Sequence, residues 1–208
     1  MNDAEPNDTV PPEIQPTPRK GSSATVHLTR IYTRTGDDGR TGLADFERIP
    51  KDDARIVAFA DCDETNSVLG MVRAIGRPAA DTDRVLLRLQ HELFDAGADL
   101  ATPDAPTHRI DEAHIAALEA DCDAFNASLS ALNSFVLPGG TPSAALLHQA
   151  RTVCRRAERS VWTLVSTAPA PHDATVARYL NRMSDLLFIL ARAENAGADV
   201  LWSPAPTH

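Results

Sequence analysis

At 208 residues, 43% of them apolar, the chain is sized for one hydrophobic core plus a tail, and a net charge of −9 excludes a surface built for nucleic acid or anionic lipid. Its three cysteines, Cys62, Cys122 and Cys154, stand far apart without a C-x-x-C, which predicts buried reduced thiols and neither a disulfide framework nor a zinc site. No apolar run approaches the ~18 residues that span a bilayer, and the N-terminus has no apolar signal core, so the expectation is a cytoplasmic protein with no membrane partner.

Residues 1–24 carry Pro6, Pro11, Pro12, Pro16 and Pro18 among acidic and small polar residues, with almost nothing to bury. They predict a disordered tail ahead of one domain over 25–208. Val26 to Leu43 begins with extended character and then meets Gly36, Gly39 and Gly42. Glycines there let several amides turn towards one anion, while Thr33, Thr35 and Thr41 add hydroxyls and Arg34 adds charge. The pattern suits a polyphosphate, although taken alone such a loop is more often an ordinary turn. It is not G-x-x-x-x-G-K-[ST], so a P-loop is not indicated.

Lys51 to Ile75 reads as the first long helix, with Ile56, Phe59, Ala60, Ser67, Gly70, Met71 and Ala74 facing inward and Asp63 in the middle of that face. A carboxylate buried there requires a cation or a proton; the alternative is a helix-edge group reaching water. Asp83 to Leu100 repeats the amphipathic pattern through Val85, Leu86, Leu89, Leu93, Phe94 and Gly97. Asp111 to Leu129 follows from an Asp111 cap, with Ile115, Leu118, Cys122 and Phe125 inward.

The fourth helix starts at Thr141, a cap, with Pro142 in the first helical position, where its missing amide costs nothing. Its apolar arc is Leu146, Ala150, Val153, Ala157, Val161 and Leu164, bordered by a stripe of Arg151, Arg155 and Glu158. Arg156, Arg159 and Gln149 fall on the far side. Arginines at i and i+4 repel, so the stripe points to an anionic ligand unless it is a solvated charged face. Asp173 to Ala196 is the fifth helix, with Val176, Leu180, Met183, Leu187 and Leu190 inward. Five long helices without an internal sheet predict an all-α antiparallel five-helix bundle with an N-terminal extended arm and a glycine-rich loop. His91, His114 and His148 lie on separate helices with no ligand spacing and read as surface or half-buried; no Gly-x-Ser-x-Gly elbow occurs.

Ile31-Tyr-Thr-Arg-Thr-Gly-Asp-Asp-Gly, Asp61-Cys-Asp-Glu-Thr-Asn-Ser, Phe135-Val-Leu-Pro-Gly-Gly, Arg151 through Arg159 and Tyr179-Leu-Asn-Arg-Met-Ser-Asp-Leu-Leu-Phe occur in one order. Together they closely resemble the PduO-type ATP:cob(I)alamin adenosyltransferases, over about residues 28 to 202. The resemblance implies a homotrimer with active sites between subunits, and transfer of the 5′-deoxyadenosyl group of ATP to cob(I)alamin through a four-coordinate cob(II)alamin. It implies ATP binding by Thr33, Arg34, Thr35, Gly36, Thr41, Gly42, Lys51, Arg155, Arg156, Glu158, Arg159 and Asn181, with Mg²⁺ carried on the phosphates. Asp63 and Arg151 inherit an ion pair near the corrin, Phe135 a wall beneath it, and Phe188 a further corrin contact. A reductase and an adenosylcobalamin-dependent mutase are the implied partners, and a carrier that hands the cofactor to the mutase is the alternative reading. A helical interaction protein without a small-molecule site is the third. Two positions depart from the family's habit: Arg34 stands where lysine is common, and Asp38 removes a cation from the loop.

Deleting residues 1–24 is expected to leave folding and turnover nearly intact, because the segment has too few apolar groups to offset its ordering entropy. Activity and oligomer size of the truncated chain check this.

Overall fold

The computed structural model describes residues 32–43, 48–102, 108–167 and 173–205. The expected tail over 1–24 and the arm from Val26 to Ile31 lie outside them. The chain divides after Arg34 into two units; in the first, the Arg34 guanidinium lies 5.9 Å from the Tyr32 ring centroid. In the second, two short strands, β1 (Arg40–Gly42) and β2 (Arg48–Pro50), pair antiparallel with Thr41 opposite Ile49. The glycine turn expected from the sequence forms just ahead of β1, where the Gly39 amide donates to the Gly36 carbonyl, and the pairing of β1 with β2 adds a hairpin to it. Ile49 is its buried residue and anchors it.

Five long helices follow: α1 (Ala54–Met71), α2 (Ala80–Ala101), α3 (Glu112–Asn126), α4 (Pro142–Thr167) and α5 (Thr175–Glu194). Lys51 precedes the first of them, because Asp53 takes the cap and accepts from the Arg55 amide at 2.9 Å. Past Met71 the helix widens into a π-helical turn over Val72–Gly76 and stops at Arg77, at φ 53°. Gly76 is required there, since a Cβ would come within 2.9 Å of the Ser143 Cα.

The caps of α3 and α4 form as the sequence predicts. Asp111 accepts from the amides of Ala113 and His114, and the Thr141 hydroxyl oxygen accepts from the Ala144 amide at 3.2 Å. Cross-links fix the packing. Gln90 on α2 exchanges hydrogen bonds with Asn66 on α1, Arg156 on α4 meets Glu64 on α1, and Cys154 on α4 donates to the Leu180 carbonyl on α5. α4 lies between α1 and α5, antiparallel to both, with Ala150, Cys154, Ala157 and Val161 fully buried. Deep in the bundle the Tyr179 hydroxyl donates to Glu92 at 2.7 Å, and burial, reinforced by that carboxylate, raises the phenol's pKa far above its usual value. Among the described residues no helix is long and apolar enough to cross a membrane.

The inner face of α1 is not the one expected. Ala58, Cys62, Thr65, Asn66, Leu69 and Val72 are buried, whereas Phe59, Ala60, Ser67, Met71 and Ala74 are exposed and Ile56 and Gly70 half-buried. The rotation has a physical cause: Thr65 donates to its own helix at Asp61 and Asn66 is satisfied by Gln90, so both polar side chains enter the core at little cost. An apolar stripe is left on the outside, and Phe94 of α2, expected inward, is 70% exposed.

Past α5 the chain doubles back. Val136 and Leu201 form an antiparallel bridge, the Leu137 amide donates to Val200 and the Trp202 amide to Phe135. A buried polar cluster holds this return: Arg192 pairs with Asp199 at 3.0 Å and donates to the Ser130 carbonyl, and Asn195 donates to Asp199 and to the Gly139 carbonyl while accepting from the Thr141 amide.

Gly140 sits at φ 106° with Asn195 Oδ1 only 2.0 Å from where a Cβ would stand. Gly140→Ala is expected to destabilise by about 1–3 kcal/mol through strain and overpacking. Urea unfolding reads the loss, and Gly42→Ala, with nothing within 4 Å of its Cβ position, serves as the near-neutral control.

Candidate functional site

The residues singled out in the sequence gather in three places. The first is the hairpin. Gly36 packs so closely under Lys51 that a Cβ would approach its Nζ to 3.0 Å, and the Lys51 amide donates to the Gly39 carbonyl. Lys51 therefore leans over the glycine turn at Gly36, with Thr35 next in sequence and Thr41 and Gly42 on β1. Asp38 is not an uncompensated charge: it accepts from the Arg40 amide and from the Arg48 guanidinium at 2.8 Å, and that amide first, then Arg48, hold its carboxyl below the usual range. Thr33 and Arg34 belong to the preceding unit, where Arg34 has a left-handed φ of 62°.

The second place is the outer border of α4. Arg155 is exposed, its carbonyl accepts from the Arg159 guanidinium, and Glu158 accepts from Asn181 of α5 at 3.1 Å. Glu158 and Asn181 share a hollow of about 510 Å³ with Trp162, Arg178 and Arg182. Arg156 does not belong to this group. It faces α1, where Glu64 and Asp61 engage it and the Glu64 hydrogen bond leads the rise in its pKa. Of the far-side residues, Arg156 thus serves a helix contact, whereas Gln149 and Arg159 are exposed.

The third place is a hollow of about 670 Å³ lined by Phe135, Val136, Arg151, Phe188 and Trp202, with Leu132 to Ser134 at its rim. The return of the chain past α5 builds it. The bridge between Val136 and Leu201 sets Trp202 against Phe135, ring centroids 6.1 Å apart and inclined at 60°. Phe135 is 78% exposed and leaves a large apolar surface open at this hollow. Arg151 reaches the hollow from α4 with its Nε buried and unpartnered, and burial leads in lowering its guanidinium pKa, with Arg155 second.

Asp63 is absent from that hollow. It is exposed on the outer face of α1, and among the described residues no ion pair joins it to Arg151. The expected pair within one chain does not form, because Asp61 and Glu64, not Asp63, are the α1 carboxylates that face α4. Two residues escaped sequence reading. Trp202 carries no helical periodicity and reaches the site only through long-range pairing; His148, expected at the surface or half-buried, is 2% exposed with both ring nitrogens unpartnered.

Nucleophilic thiol chemistry finds no support in the geometry. Burial pushes the Cys62 thiol up to about 12 and the half-buried Cys122 up to about 11, and raises Cys154 well above its usual value. Among the described residues no group of three or more His, Cys, Asp or Glu side chains is placed to hold a metal ion.

Comparison with known proteins bears on these hollows. A family model described as cobalamin adenosyltransferase matches residues 31–194. A corrinoid adenosyltransferase of Mycobacterium leprae is 57% identical over 187 residues, which cover 86% of this chain and 98% of that one; one of Mycobacterium bovis is 58% identical over 184 residues, covering 86% and 95%. Among solved structures, a phenylalanine-to-histidine variant of the PduO-type ATP:corrinoid adenosyltransferase from Lactobacillus reuteri, complexed with cobalamin and ATP, superposes with a TM-score of 0.77 at 33% identity, covering 83% of this chain and 96% of that one.

Proposed function

This chain belongs to the cobalamin adenosyltransferase family and is a corrinoid adenosyltransferase, and we propose that it moves the 5′-deoxyadenosyl group of ATP onto cob(I)alamin within sites completed between subunits. The observation that carries the reading is the order of groups along one border of α4. Arg151, at an aromatic hollow, is one turn from Arg155, and Glu158 with its partner Asn181 lies one turn further. A turn spans about 5.4 Å, so a corrin and a nucleotide can lie side by side there with their reacting atoms in reach.

In this reading the cobalt lone pair of cob(I)alamin forms a bond to the 5′ carbon while the bond from that carbon to oxygen breaks, and triphosphate leaves with the electron pair. No protein base is needed. The chain's task is alignment and the neutralisation of charge gathering on the triphosphate, supplied by Arg155, Arg159, Lys51, Arg34 and the amides and hydroxyls of Thr33, Thr35, Gly36, Thr41 and Gly42. Glu158 and Asn181 hold each other and orient Arg155's neighbourhood. Mg²⁺ enters on the nucleotide, bound by phosphate oxygens and water. Arg156, engaged by Glu64 and Asp61, supports the helix pair instead of touching phosphate.

Phe135, backed by Trp202 and facing Phe188, would crowd the lower face of the corrin and exclude an axial ligand. Without that ligand the orbital that accepts the electron falls in energy, so a four-coordinate cob(II)alamin is easier for a reductase to reduce. The exposed apolar stripe of α1 and α2, with Phe59, Met71 and Phe94, favours burial against further copies and hence the homotrimer. In such an assembly the Asp63 of one subunit is available to the Arg151 of the next, a pairing that neither residue makes within its own chain. Handover of product to a mutase and residence in the cytoplasm complete the proposal.

Chemically reduced cobalamin, ATP and Mg²⁺ should give the absorbance of adenosylcobalamin with the purified chain; no ATP-dependent spectral change would refute the activity. Arg155→Ala should slow transfer by at least about 100-fold with helicity retained, the scale of losing one charge-stabilising donor. Phe135→Ala should deplete the four-coordinate cob(II)alamin signal more than it weakens ATP binding. The pairing between subunits has its own test: mixing Asp63→Asn with Arg151→Ala chains under subunit exchange should recover activity that neither possesses alone, because some interfaces then join an intact Asp63 to an intact Arg151. Failure to complement, with exchange verified, places the pair elsewhere.

A further inference from the structure

His148 has no role in the reading above, yet it is the most anomalous side chain of the bundle. It is 2% exposed, on α4 one turn before Arg151, and neither Nδ1 nor Nε2 has a hydrogen-bond partner. Its ring lies 6.0 Å from that of Phe188, which lines the same aromatic hollow as Arg151. Arg151 Nε is buried and unpartnered as well. Three buried nitrogens within one turn of α4 thus lack a hydrogen-bond partner. Each such group costs free energy unless a partner arrives.

The chemistry of the three nitrogens is complementary. A guanidinium Nε–H only donates, whereas a neutral imidazole offers one N–H and one lone pair. The charged groups around the ring keep it neutral: Arg151 on its own helix disfavours a second cation, Asp199 past α5 opposes this more weakly, and Arg192 on α5 is already paired with Asp199. Burial, foremost, and then Arg151 lower the imidazole's pKa below its usual value. A neutral imidazole one helical turn from an unpartnered Arg Nε–H is an acceptor in waiting.

We propose that His148 is the positioning residue of Arg151: when the corrin fills the hollow, a neutral His148 ring nitrogen accepts the Arg151 Nε–H and fixes the guanidinium, leaving its terminal N–H groups for the ligand side and for a carboxylate. The inference rests on the corrin reading of this hollow and assigns that site a pH dependence. The sign follows from the lowered pKa. The neutral form prevails above the ordinary histidine range, and as pH falls through the folded value the ring takes a proton, loses its acceptor and places a second cation beside Arg151. Corrin affinity should therefore be lost at the acid end while nucleotide affinity is not.

The test compares His148→Phe, which keeps a ring without an acceptor, with His148→Gln, which restores an acceptor, in the full chain. His148→Phe should raise KM for reduced cobalamin by roughly ten-fold, the scale of one hydrogen bond to a charged group, with KM for ATP nearly unchanged. The natural chain should show an acid limb in kcat/KM for cobalamin, and His148→Gln should recover most of the loss while abolishing that limb. Thermal melts confirm that both variants fold. Histidine NMR supplies a readout independent of turnover: the His148 ring signals should move on adding saturating, diamagnetic adenosylcobalamin, and should move less at saturation in Arg151→Ala. If His148→Phe matches the natural chain, if the glutamine fails to rescue a folded protein, or if the ring signals ignore the corrin while the natural chain still turns over, the positioning role is wrong. If the natural chain makes no adenosylcobalamin, the corrin reading itself fails, and these outcomes are distinct.

Discussion

The buried polar cluster at the end of α5 is the constraint on which the aromatic hollow at Phe135 depends. Arg192 and Asp199 are 6% and 8% exposed at the side chain, and removing one of two such charges leaves the other desolvated and alone. Asn195 extends the cluster to the Gly139 carbonyl and the Thr141 amide, so one set of hydrogen bonds ties together the loop after Phe135, the start of α4 and the chain past α5. The directional demands of these bonds set where Phe135 and Trp202 stand. The apolar groups themselves are on the surface and are held there by polar interactions behind them.

α4 owes its central place to burial on two sides. At its middle the core residues are small, with Ala150, Cys154 and Ala157 at zero exposure, which lets α1 and α5 approach closely. The charged residues that remain are sorted by direction. Arg156 and Ser160 turn to α1 and meet Glu64 and Asp61, whereas Arg151, Arg155 and Glu158 turn to the open border beside α5. One helix thereby serves as the bundle's axis and also lends residues to both hollows, Arg151 to the aromatic one and Glu158 and Trp162 to the other. Arginines one turn apart on that border are costly in isolation, which is consistent with anionic occupants.

α1 has two apolar faces, and the bundle can bury one. It buries the face that carries Thr65 and Asn66, because local and α2 hydrogen bonds satisfy them, and it turns Phe59 and Met71 outward. A sequence periodicity scored on apolarity alone selects the wrong face here, since a satisfied polar side chain is as admissible in a core as an alanine. Asp63 moves outward with the rest of that face, which is why a carboxylate that reads as buried is at the surface of the single chain.

The sequence by itself determined the five helices, the Thr141 and Asp111 caps, the inward faces of α4 and α5 and the stripe of Arg151, Arg155 and Glu158, because caps and 3.6-residue periodicity are local properties of the chain. The motifs likewise carried the family. Tertiary structure decided which face of α1 is buried, that Arg156 serves a helix contact, that β1 and β2 make a hairpin, that Trp202 joins Phe135 across 67 positions of chain, and that His148 is enclosed without a partner. Each of these rests on contacts between residues remote in sequence, where hydrogen-bond satisfaction and packing against another element, not the local pattern, fix which side of a helix faces in.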